Sequence, residues 1–261
     1  IIRMYILLFV LSAGGGVETI ESAKKTPGEL AAFLEVHIEQ GKRLLNQSIP
    51  IGIVTAITGI YREEITIIGE ANHAGTTLMT ERNDALVAAS KFVVAFEEIV
   101  RNDPSDEVVG TIGQFAIKPG APSIIPNEVK LLMEIRGDKV EKITNIRQQV
   151  DAVLNQLERQ QPIQTHRTII LDQAPTDMDE TIIDSFKKAV LQEDHYLLMG
   201  SMAGHDATHL ASITKAGMLF VPSIGGKSHC PEEYSRIEDI EKVSNVLLQA
   251  IFDLDNILDK E

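Results

Sequence analysis

The segment Ala32-Phe-Leu-Glu-Val-His-Ile-Glu-Gln-Gly41 decides the arrangement expected for this chain. Its apolar residues from 32 to 38 predict a buried strand, and Gly41 then opens a short helical stretch. His37 stands at the end of that strand and is followed at once by polar residues. Because α/β folds present ligand-binding groups where strands end, the segment predicts an α/β domain with a polar site at this point.

A second histidine segment, Lys227-Ser-His-Cys-Pro-Glu-Glu233, lies far downstream and follows a predicted strand. A neutral imidazole at His229 is suited to a divalent metal, with a carboxylate orienting it from behind. On local grounds, a histidine at a strand end such as His37 is as common in a satisfied structural role as in a ligand role. Together the two segments predict a metal site built from distant parts of the chain, although two histidines do not complete one.

Composition limits the classes of protein to consider. A chain of 261 residues has room for two domains. The net charge of -14 and the lack of Lys/Arg runs exclude a nucleic-acid partner, so a small-molecule or protein partner is expected. The single cysteine, Cys230, excludes an internal disulfide and favours the reducing cytoplasm.

The apolar run at residues 4–13 has the outline of a signal peptide. It is too short to span a bilayer, so no membrane partner is expected. The other interpretation of this run is a buried strand that ends at the three glycines 14–16.

Residues 52–173 predict a ferredoxin-like α+β unit. Alternating β-branched residues between 51 and 72 indicate two strands with a break near Gly59. The elements predicted after them are a helix around 86–100, strands at 108–117 and 129–135, a helix around 143–157 and a strand at 168–171. The resulting order is strand, helix, strand, strand, helix, strand, which is the split βαβ pattern.

The remaining residues, 1–51 and 174–261, predict a partial α/β domain. A helix around Ile182, a buried strand at Met218–Val221 and a last helix behind the capping box Ser235-Arg-Ile-Glu238 make up its C-terminal part. Its strands are expected to pair with residues 30–40. The ferredoxin-like unit would therefore be an insertion into the α/β domain.

Three further side chains are candidates for chemistry. His73 stands in the loop Asn72-His-Ala-Gly-Thr-Thr77, which is suited to presenting an imidazole to a substrate oxygen. Arg136 ends a predicted strand and offers a forked donor for a carboxylate. His205, in Gly204-His-Asp206, has two interpretations of equal weight, because the same cluster also suits an ordinary helix start.

Five ordered motifs give the chain a family resemblance. They are His37-Ile-Glu-Gln-Gly41, Gly69-Glu-Ala-Asn-His-Ala-Gly-Thr-Thr77, Arg82-Asn-Asp-Ala-Leu-Val-Ala-Ala-Ser90, Ala203-Gly-His-Asp-Ala207 and Val221-Pro-Ser-Ile-Gly-Gly-Lys-Ser-His-Cys-Pro-Glu-Glu-Tyr234. Together they resemble the N-carbamoyl-L-amino-acid hydrolase and allantoate amidohydrolase branch of the M20 metallopeptidase-like family. The similarity covers the chain from about residue 30 onward.

The resemblance implies a metal-binding α/β catalytic domain with an inserted ferredoxin-like lid that also dimerises, which makes the protein a homodimer through residues 52–173. It further implies hydrolysis of a carbamoyl or ureido C–N bond in a small-molecule substrate. Two divalent ions per site, Zn, Mn or Co, would activate water and polarise the carbonyl group.

The same resemblance assigns roles to individual residues. His37 and His229 would each ligate one metal. His73 would be catalytic, reaching the substrate carbonyl oxygen in the partner subunit's site. The substrate-binding positions that the resemblance implies are Gln40, His73, Ser123, Arg136, His205 and Gly226.

The chain also departs from the family pattern. The family's His-x-Asp motif and its Glu-Glu pair precede the His-Ile-Glu-Gln-Gly motif, yet residues 1–29 contain no histidine and no Glu-Glu. Ser123 stands where a substrate-binding asparagine is usual. We therefore expect this chain to correspond to the C-terminal portion of such an enzyme. Two hypotheses follow: an incompletely represented hydrolase, and a non-catalytic dimerising protein without a working metal centre.

Overall fold

A computed structural model describes residues 24–105, 107–191 and 194–258. The possible signal peptide or strand at 4–13 lies outside the described residues. The strands are β1 Ala32–Ile38, β2 Ile51–Ile57, β3 Gly59–Ile68, β4 Val108–Lys118, β5 Glu128–Gly137, β6 Gln164–Gln173, β7 Thr176–Asp177, β8 Tyr196–Ser201 and β9 Lys215–Val221. The α-helices are α1 Arg43–Gln47, α2 Ala85–Arg101, α3 Val140–Gln160, α4 Glu180–Ala189, α5 Ala207–Leu210 and α6 Ile237–Leu258.

The larger of two sheets has the strand order β1-β9-β2-β8, with short β7 pairing at the end of β2. Strand β1 runs parallel to β9, from Ala32 opposite Lys215 to Ile38 opposite Val221. This register confirms the predicted pairing with residues 30–40 for β9, whereas β8, also in the C-terminal part, pairs with β2. Strand β2 is antiparallel to β9 and parallel to β8, so the sheet is mixed.

Helices α4 and α6 pack against this sheet and against each other. Helix α4 approaches strand β9 so closely that β9 has a glycine at the contact. A Cβ on Gly217 would lie 2.3 Å from the Ile182 side chain. Ile53, Phe186, Met218 and Phe220 are buried in the resulting core. Burial of these large apolar side chains is the main force that holds the layers together.

The smaller sheet is antiparallel, in the order β4-β5-β3-β6, and helices α2 and α3 pack against it. Its elements follow one another as strand, helix, strand, strand, helix, strand, as the sequence pattern indicated. The boundary predicted at residue 52 falls inside β2, which hydrogen-bonds within the larger sheet, so the smaller sheet begins at Gly59. The described residues form a mixed α/β structure with two sheets. The lid role and the division into domains stay predictions.

None of the helices in the described ranges combines the length and apolar character that a membrane-spanning helix needs.

A buried ion pair links β3 to β6 in the smaller sheet. Arg167 donates from Nε and Nη2 to the two carboxylate oxygens of Glu63, each at 2.7 Å, and the Glu63 side chain is only 3% exposed. Arg167 also pairs with Asp151 on α3. The hydrogen bonds to Glu63 raise the pKa of Arg167 further above its usual value. Forked, two-point geometry of this kind is the strong form of a charge-assisted hydrogen bond.

Replacing Arg167 by Met should lower the free energy of unfolding by about 3–5 kcal/mol, because it leaves the Glu63 carboxylate buried and unpaired. The double variant Arg167→Met with Glu63→Met should recover most of that loss. As a matched control, Lys130→Met removes the exposed pair with Glu64 on the same sheet and should cost about 1 kcal/mol or less. Urea unfolding followed by circular dichroism measures all three, and equal losses for Arg167→Met and Lys130→Met would contradict the expectation.

Candidate metal and substrate site

The His37 imidazole has a fixed tautomer. Its Nδ1 lies 2.9 Å from the carbonyl oxygen of Ile38, which can only accept, so Nδ1 carries the proton. Nε2 is left with a free lone pair. A histidine whose other ring nitrogen is held by a backbone carbonyl is the usual form of a metal-ligating imidazole.

The turn after β1 is held by a buried carboxylate. Glu39 accepts hydrogen bonds from the backbone N–H groups of Arg43 (2.7 Å) and Leu44 (3.0 Å), which satisfies two donors at the start of α1. Gln40 has a φ of +58°, in the left-handed region that non-glycine residues rarely adopt. The turn therefore presents the Gln40 amide in one direction, with its backbone N–H bound to Ser223 Oγ at 3.0 Å.

The loop after β9 meets this turn. Gln40 Nε2 lies 2.8 Å from Ser228 Oγ and 3.3 Å from His229 Nε2. Gly226 has a φ of +64°, and a Cβ there would lie 2.6 Å from the Lys42 side chain, so only glycine allows the loop to close on the turn. Of the residues predicted for the site, Gln40, Gly226 and His229 are thus brought together.

His229 is also held in an unusual backbone conformation, with a φ of +56°. Its N–H donates to Glu233 Oε2 at 2.9 Å, and this hydrogen bond lowers the pKa of Glu233. The neighbouring Cys230 is a free, partly exposed thiol. The Glu233 carboxylate thus binds the backbone of His229, and a carboxylate that orients the imidazole itself stays a prediction.

His205 lies against His37 beneath the site. The two rings meet edge to face with their centroids 4.6 Å apart, and His205 is 8% exposed. Burial, with a smaller effect from the neighbouring charge of His37, lowers the pKa of His205 to about 4. The ring is therefore neutral at pH 7.

Glu35 joins the two histidines. Its Oε1 is 3.7 Å from His205 Nδ1, and one ligand atom from each of Glu35, His37 and His205 lies within 4.8 Å of the other two. Two imidazoles and a carboxylate are donors that Zn and related ions accept. The described part of the chain therefore contains a possible three-residue ligand cluster.

One line of side chains resembles the arrangement of a nucleophile, a base and an orienting carboxylate. In space it runs from Ser201 through His205 to Glu35. Ser201 Oγ is 2.6 Å from His205 Nε2. However, Ser201 is 2% exposed and its hydroxyl also contacts the backbone of Ala203, so a substrate has no approach to it. Since a nucleophile must reach the substrate, this line of residues does not form a catalytic triad.

The segment that carries Ser201 and His205 is held through successive carbonyl groups. Arg43 donates to the Gly200 carbonyl, the backbone N–H of Thr58 donates to that of Ser201 (2.8 Å), and Arg136 Nη1 donates to that of Met202 (3.1 Å). Arg43 also pairs with Glu107, next to β4. Both sheets therefore converge on residues 200–202. A cavity of about 240 Å³ lies here, lined by Gln40, Arg43, Gly200, Met202, Phe220 and their neighbours.

His73 and Ser123 form a separate pair of loops on the smaller sheet. The backbone N–H of Ala74 donates to the Ser123 carbonyl at 2.9 Å, and His73 bridges to Ile124. His73 Nδ1 accepts N–H bonds from Gly75 (3.0 Å) and Thr76 (3.2 Å). In the neutral ring the proton is thus on Nε2 of an exposed side chain, which makes it a hydrogen-bond donor.

The structure groups the predicted residues but does not test their roles, which stay predictions. Arg136 lies against the segment carrying His205, while His205 itself is buried behind His37 rather than open to a substrate. Glu35, Ser201 and Arg43 were not predicted. A signal for Glu35 existed, because residues two apart on a strand point to the same face, and Glu35 precedes His37 by two.

Comparison with known proteins identifies the relatives of this chain. A family model described as peptidase family M20/M25/M40 matches residues 11–253. An N-carbamoyl-L-amino-acid amidohydrolase of Paenarthrobacter aurescens is 33% identical over 90% of this chain and 57% of its own length. An allantoate amidohydrolase of Bacillus subtilis is 35% identical over 93% of this chain and 58% of its own length.

A solved structure is similar over the same region. An amidase of the hydantoinase/carbamoylase family from Burkholderia multivorans superposes with a TM-score of 0.78 at 31% identity, covering 86% of this chain and 55% of that one. The chain therefore spans little more than half the length of the relatives it matches.

The buried, neutral His205 should make the stability of the metal-free protein depend on pH. Its pKa is about 4 in the folded state and near 6.5 when unfolded, so its contribution is fully present above pH 6.5 and is lost as the pH falls toward 4. The total loss is at most about 3 kcal/mol. Urea unfolding in EDTA across this range should show a shallower slope for His205→Gln than for the parent. The exposed His209→Gln is the control, and a parent slope retained in His205→Gln would contradict the assignment.

Proposed function

Because the chain belongs to peptidase family M20/M25/M40, we propose that it carries part of a metal-dependent amidohydrolase. The bond cleaved is a linear C–N bond of an N-carbamoyl-L-amino acid or of an allantoate-like ureido compound. The observation that carries this proposal is the His37 imidazole, whose Nδ1 is held by the Ile38 carbonyl while Nε2 remains available beside a second histidine and a carboxylate. The names of the relatives support the reaction class.

The proposed cofactor is a divalent ion, Zn, Mn or Co. Following the family resemblance, His37 and His229 each ligate one of two ions, and the contact of Gln40 with His229 keeps that imidazole next to the turn after β1. When bound, such ions polarise a carbonyl oxygen and lower the pKa of a bound water. The donor set fits this use, because neutral imidazole and carboxylate are the ligands these metals prefer.

Arg136 is the proposed partner of a substrate carboxylate. Its Nε already donates to Glu134 Oε1 at 2.7 Å and its Nη1 to the Met202 carbonyl, and the side chain is about a third exposed. These contacts fix the plane of the guanidinium, which lowers the cost of binding a carboxylate through its remaining donors. The Gln40 amide, in the adjoining cavity, is positioned for a polar group of the same small substrate.

His73 is the proposed donor to the substrate carbonyl oxygen. Two backbone N–H groups occupy its Nδ1, so the Nε2–H points away from its own loop. A preorganised donor of this kind stabilises negative charge that develops on an oxygen. In the proposed homodimer this side chain serves the partner subunit's site.

The proposed dimer forms through residues 52–173. Strand β4 is an edge strand of eleven residues that pairs only with β5 among the described strands, and Val109, Phe115 and Ile117 on it are 39–47% exposed. A long apolar edge strand is a template for pairing with a second chain. The reducing environment suited to a free Cys230 supports a cytoplasmic location.

A second candidate function is a non-catalytic dimerising protein. It is favoured by one observation, the exposed apolar edge strand β4, which can pair with a second chain whether or not a metal is bound. On this alternative the edge strand keeps its role while the chain alone turns over no substrate. Activity and assembly therefore have to be measured separately.

The purified chain supplied with Zn, Mn or Co should release ammonia from N-carbamoyl-L-amino acids or from allantoate. His37→Gln should lower the rate by at least about 10-fold, because even the loss of an outer-shell partner of a metal costs that much. His166→Gln, on exposed β6, is the control and should leave the rate unchanged. No turnover of either substrate by a folded, metal-loaded chain would favour the non-catalytic alternative.

Phe115→Lys should convert the dimer to a monomer, because it places a charge on the exposed apolar edge of β4. Sedimentation velocity measures the change. Ile237→Lys introduces the same charge at an exposed position of α6 and should leave the dimer intact. A parent chain that sediments as a monomer would contradict the proposed assembly without bearing on the hydrolase proposal.

A further inference from the structure

We infer that Arg82 is a positioning residue for His73, because it holds the turn around the imidazole so that the ring keeps its proton on Nε2. The inference rests on the proposed role of His73 as a donor to a substrate oxygen, and it adds the residue that prepares His73 for that role. Arg82 opens one of the five sequence motifs, yet the proposed function gives it no part.

The guanidinium of Arg82 binds two backbone carbonyl groups of residues 73–77, the His73 turn. Nη2 donates to the carbonyls of Ala74 and Thr77, the latter at 3.0 Å, and Nε donates to the Thr77 carbonyl at 3.1 Å. A planar, forked cation is suited to spanning two acceptors in this way. The Arg82 side chain is half-buried whereas His73 is exposed, so Arg82 anchors the inner side of the turn.

The His73 turn also closes on itself. The backbone N–H and the Oγ1 hydroxyl of Thr77 both donate to the His73 carbonyl, at 3.2 and 2.9 Å. The backbone next to Arg82 is fixed as well, since the Asn83 carbonyl accepts the Glu70 N–H at 2.8 Å just after β3. Arg82 therefore ties an exposed turn to the smaller sheet.

One peptide group connects Arg82 to the imidazole. The carbonyl of Ala74 and the N–H of Gly75 belong to the same peptide. Arg82 binds the oxygen of this peptide, and its N–H donates to His73 Nδ1 at 3.0 Å. A cation on the oxygen polarises the peptide and strengthens the N–H as a donor, because hydrogen bonds in a chain reinforce one another. Loss of the guanidinium therefore weakens the hydrogen bond that occupies Nδ1.

The hydrogen bonds to Nδ1 decide the tautomer of His73. Nδ1 accepts from Gly75 and also from the Thr76 N–H at 3.2 Å, so the proton of the neutral ring lies on Nε2. Which ring nitrogen carries the proton is set by the hydrogen bond that the other one makes. When the turn loosens, both tautomers become populated. In the second tautomer the exposed Nε2 is an acceptor, which cannot stabilise negative charge on a substrate oxygen.

The tautomer of His73 can be measured directly in the full chain. Long-range ¹H–¹⁵N spectra of protein labelled at histidine distinguish protonated from unprotonated ring nitrogens at about pH 8.5, above the usual pKa of histidine. His73→Gln identifies the signals of His73. The parent should show an unprotonated Nδ1 and a protonated Nε2. In Arg82→Met the two signals should move toward each other, because both tautomers are then present.

Arg101→Met is the matched control, because it removes an exposed arginine from the other end of α2. It should leave the His73 signals unchanged. Arg82→Lys keeps the charge without the planar fork and should shift the signals in the same direction but less than Arg82→Met. If Arg82→Met does not fold, Arg82→Lys decides the result.

Two results would overturn the inference. One is a parent chain with the proton on Nδ1 of His73. The other is a folded Arg82 variant that loses stability in urea but keeps the parent signals, since Arg82 then only holds the loop in place.

This measurement does not depend on turnover. In an active chain Arg82→Met should also lower kcat by up to about 100-fold with little change in KM, because the donor acts on charge that develops in the transition state. An unchanged kcat there overturns the inference. If the parent hydrolyses no substrate, the tautomer shift in Arg82→Met still supports the inference, while the missing turnover counts against the proposed function.

Discussion

Three successive carbonyl groups, those of residues 200–202, hold the two sheets and the candidate site together. Their donors come from α1, from the link between the sheets and from β5, and they are Arg43, Thr58 and Arg136. A Cβ at Gly200 would lie 2.8 Å from a carboxylate oxygen of Glu107, so a larger residue there would make the Glu107 side chain shift. Since His205 lies three to five residues further along the chain, the arrangement of the ligand cluster depends on these hydrogen bonds to the backbone.

The same segment links Arg136, the proposed substrate partner, to His37, a proposed metal ligand. Arg136 belongs to the smaller sheet, yet it contacts the chain three residues before His205, which lies against His37. A carboxylate that approaches Arg136 therefore meets a guanidinium that already supports the ligand cluster. The spatial order, from Arg136 through residues 202–205 to His37, joins the two sheets at one place even though their cores are separate.

Most of the fold could be predicted from periodicity, and much of the site could not. The order of elements from β3 to β6 and the pairing of β1 with the C-terminal part followed from local patterns. Strand β8 was not predicted. Its exposed positions 196 and 198 carry apolar residues, so the strand lacks the alternation of apolar and polar residues that indicates a half-buried strand. The contact between Glu35 and His205 was missed because it joins residues 170 positions apart, and only the register of the folded sheet brings them together.

The left-handed backbone at Gln40 and His229 limits which residues these two positions tolerate during evolution. Both residues adopt a backbone conformation that costs free energy for them and that glycine would adopt freely. Their side chains contact each other across the site. Selection for stability alone would favour glycine or asparagine at the two positions. Among natural variants, retention of glutamine and histidine there would mark lineages in which the site is still under functional selection, and their replacement would mark the first step of decay.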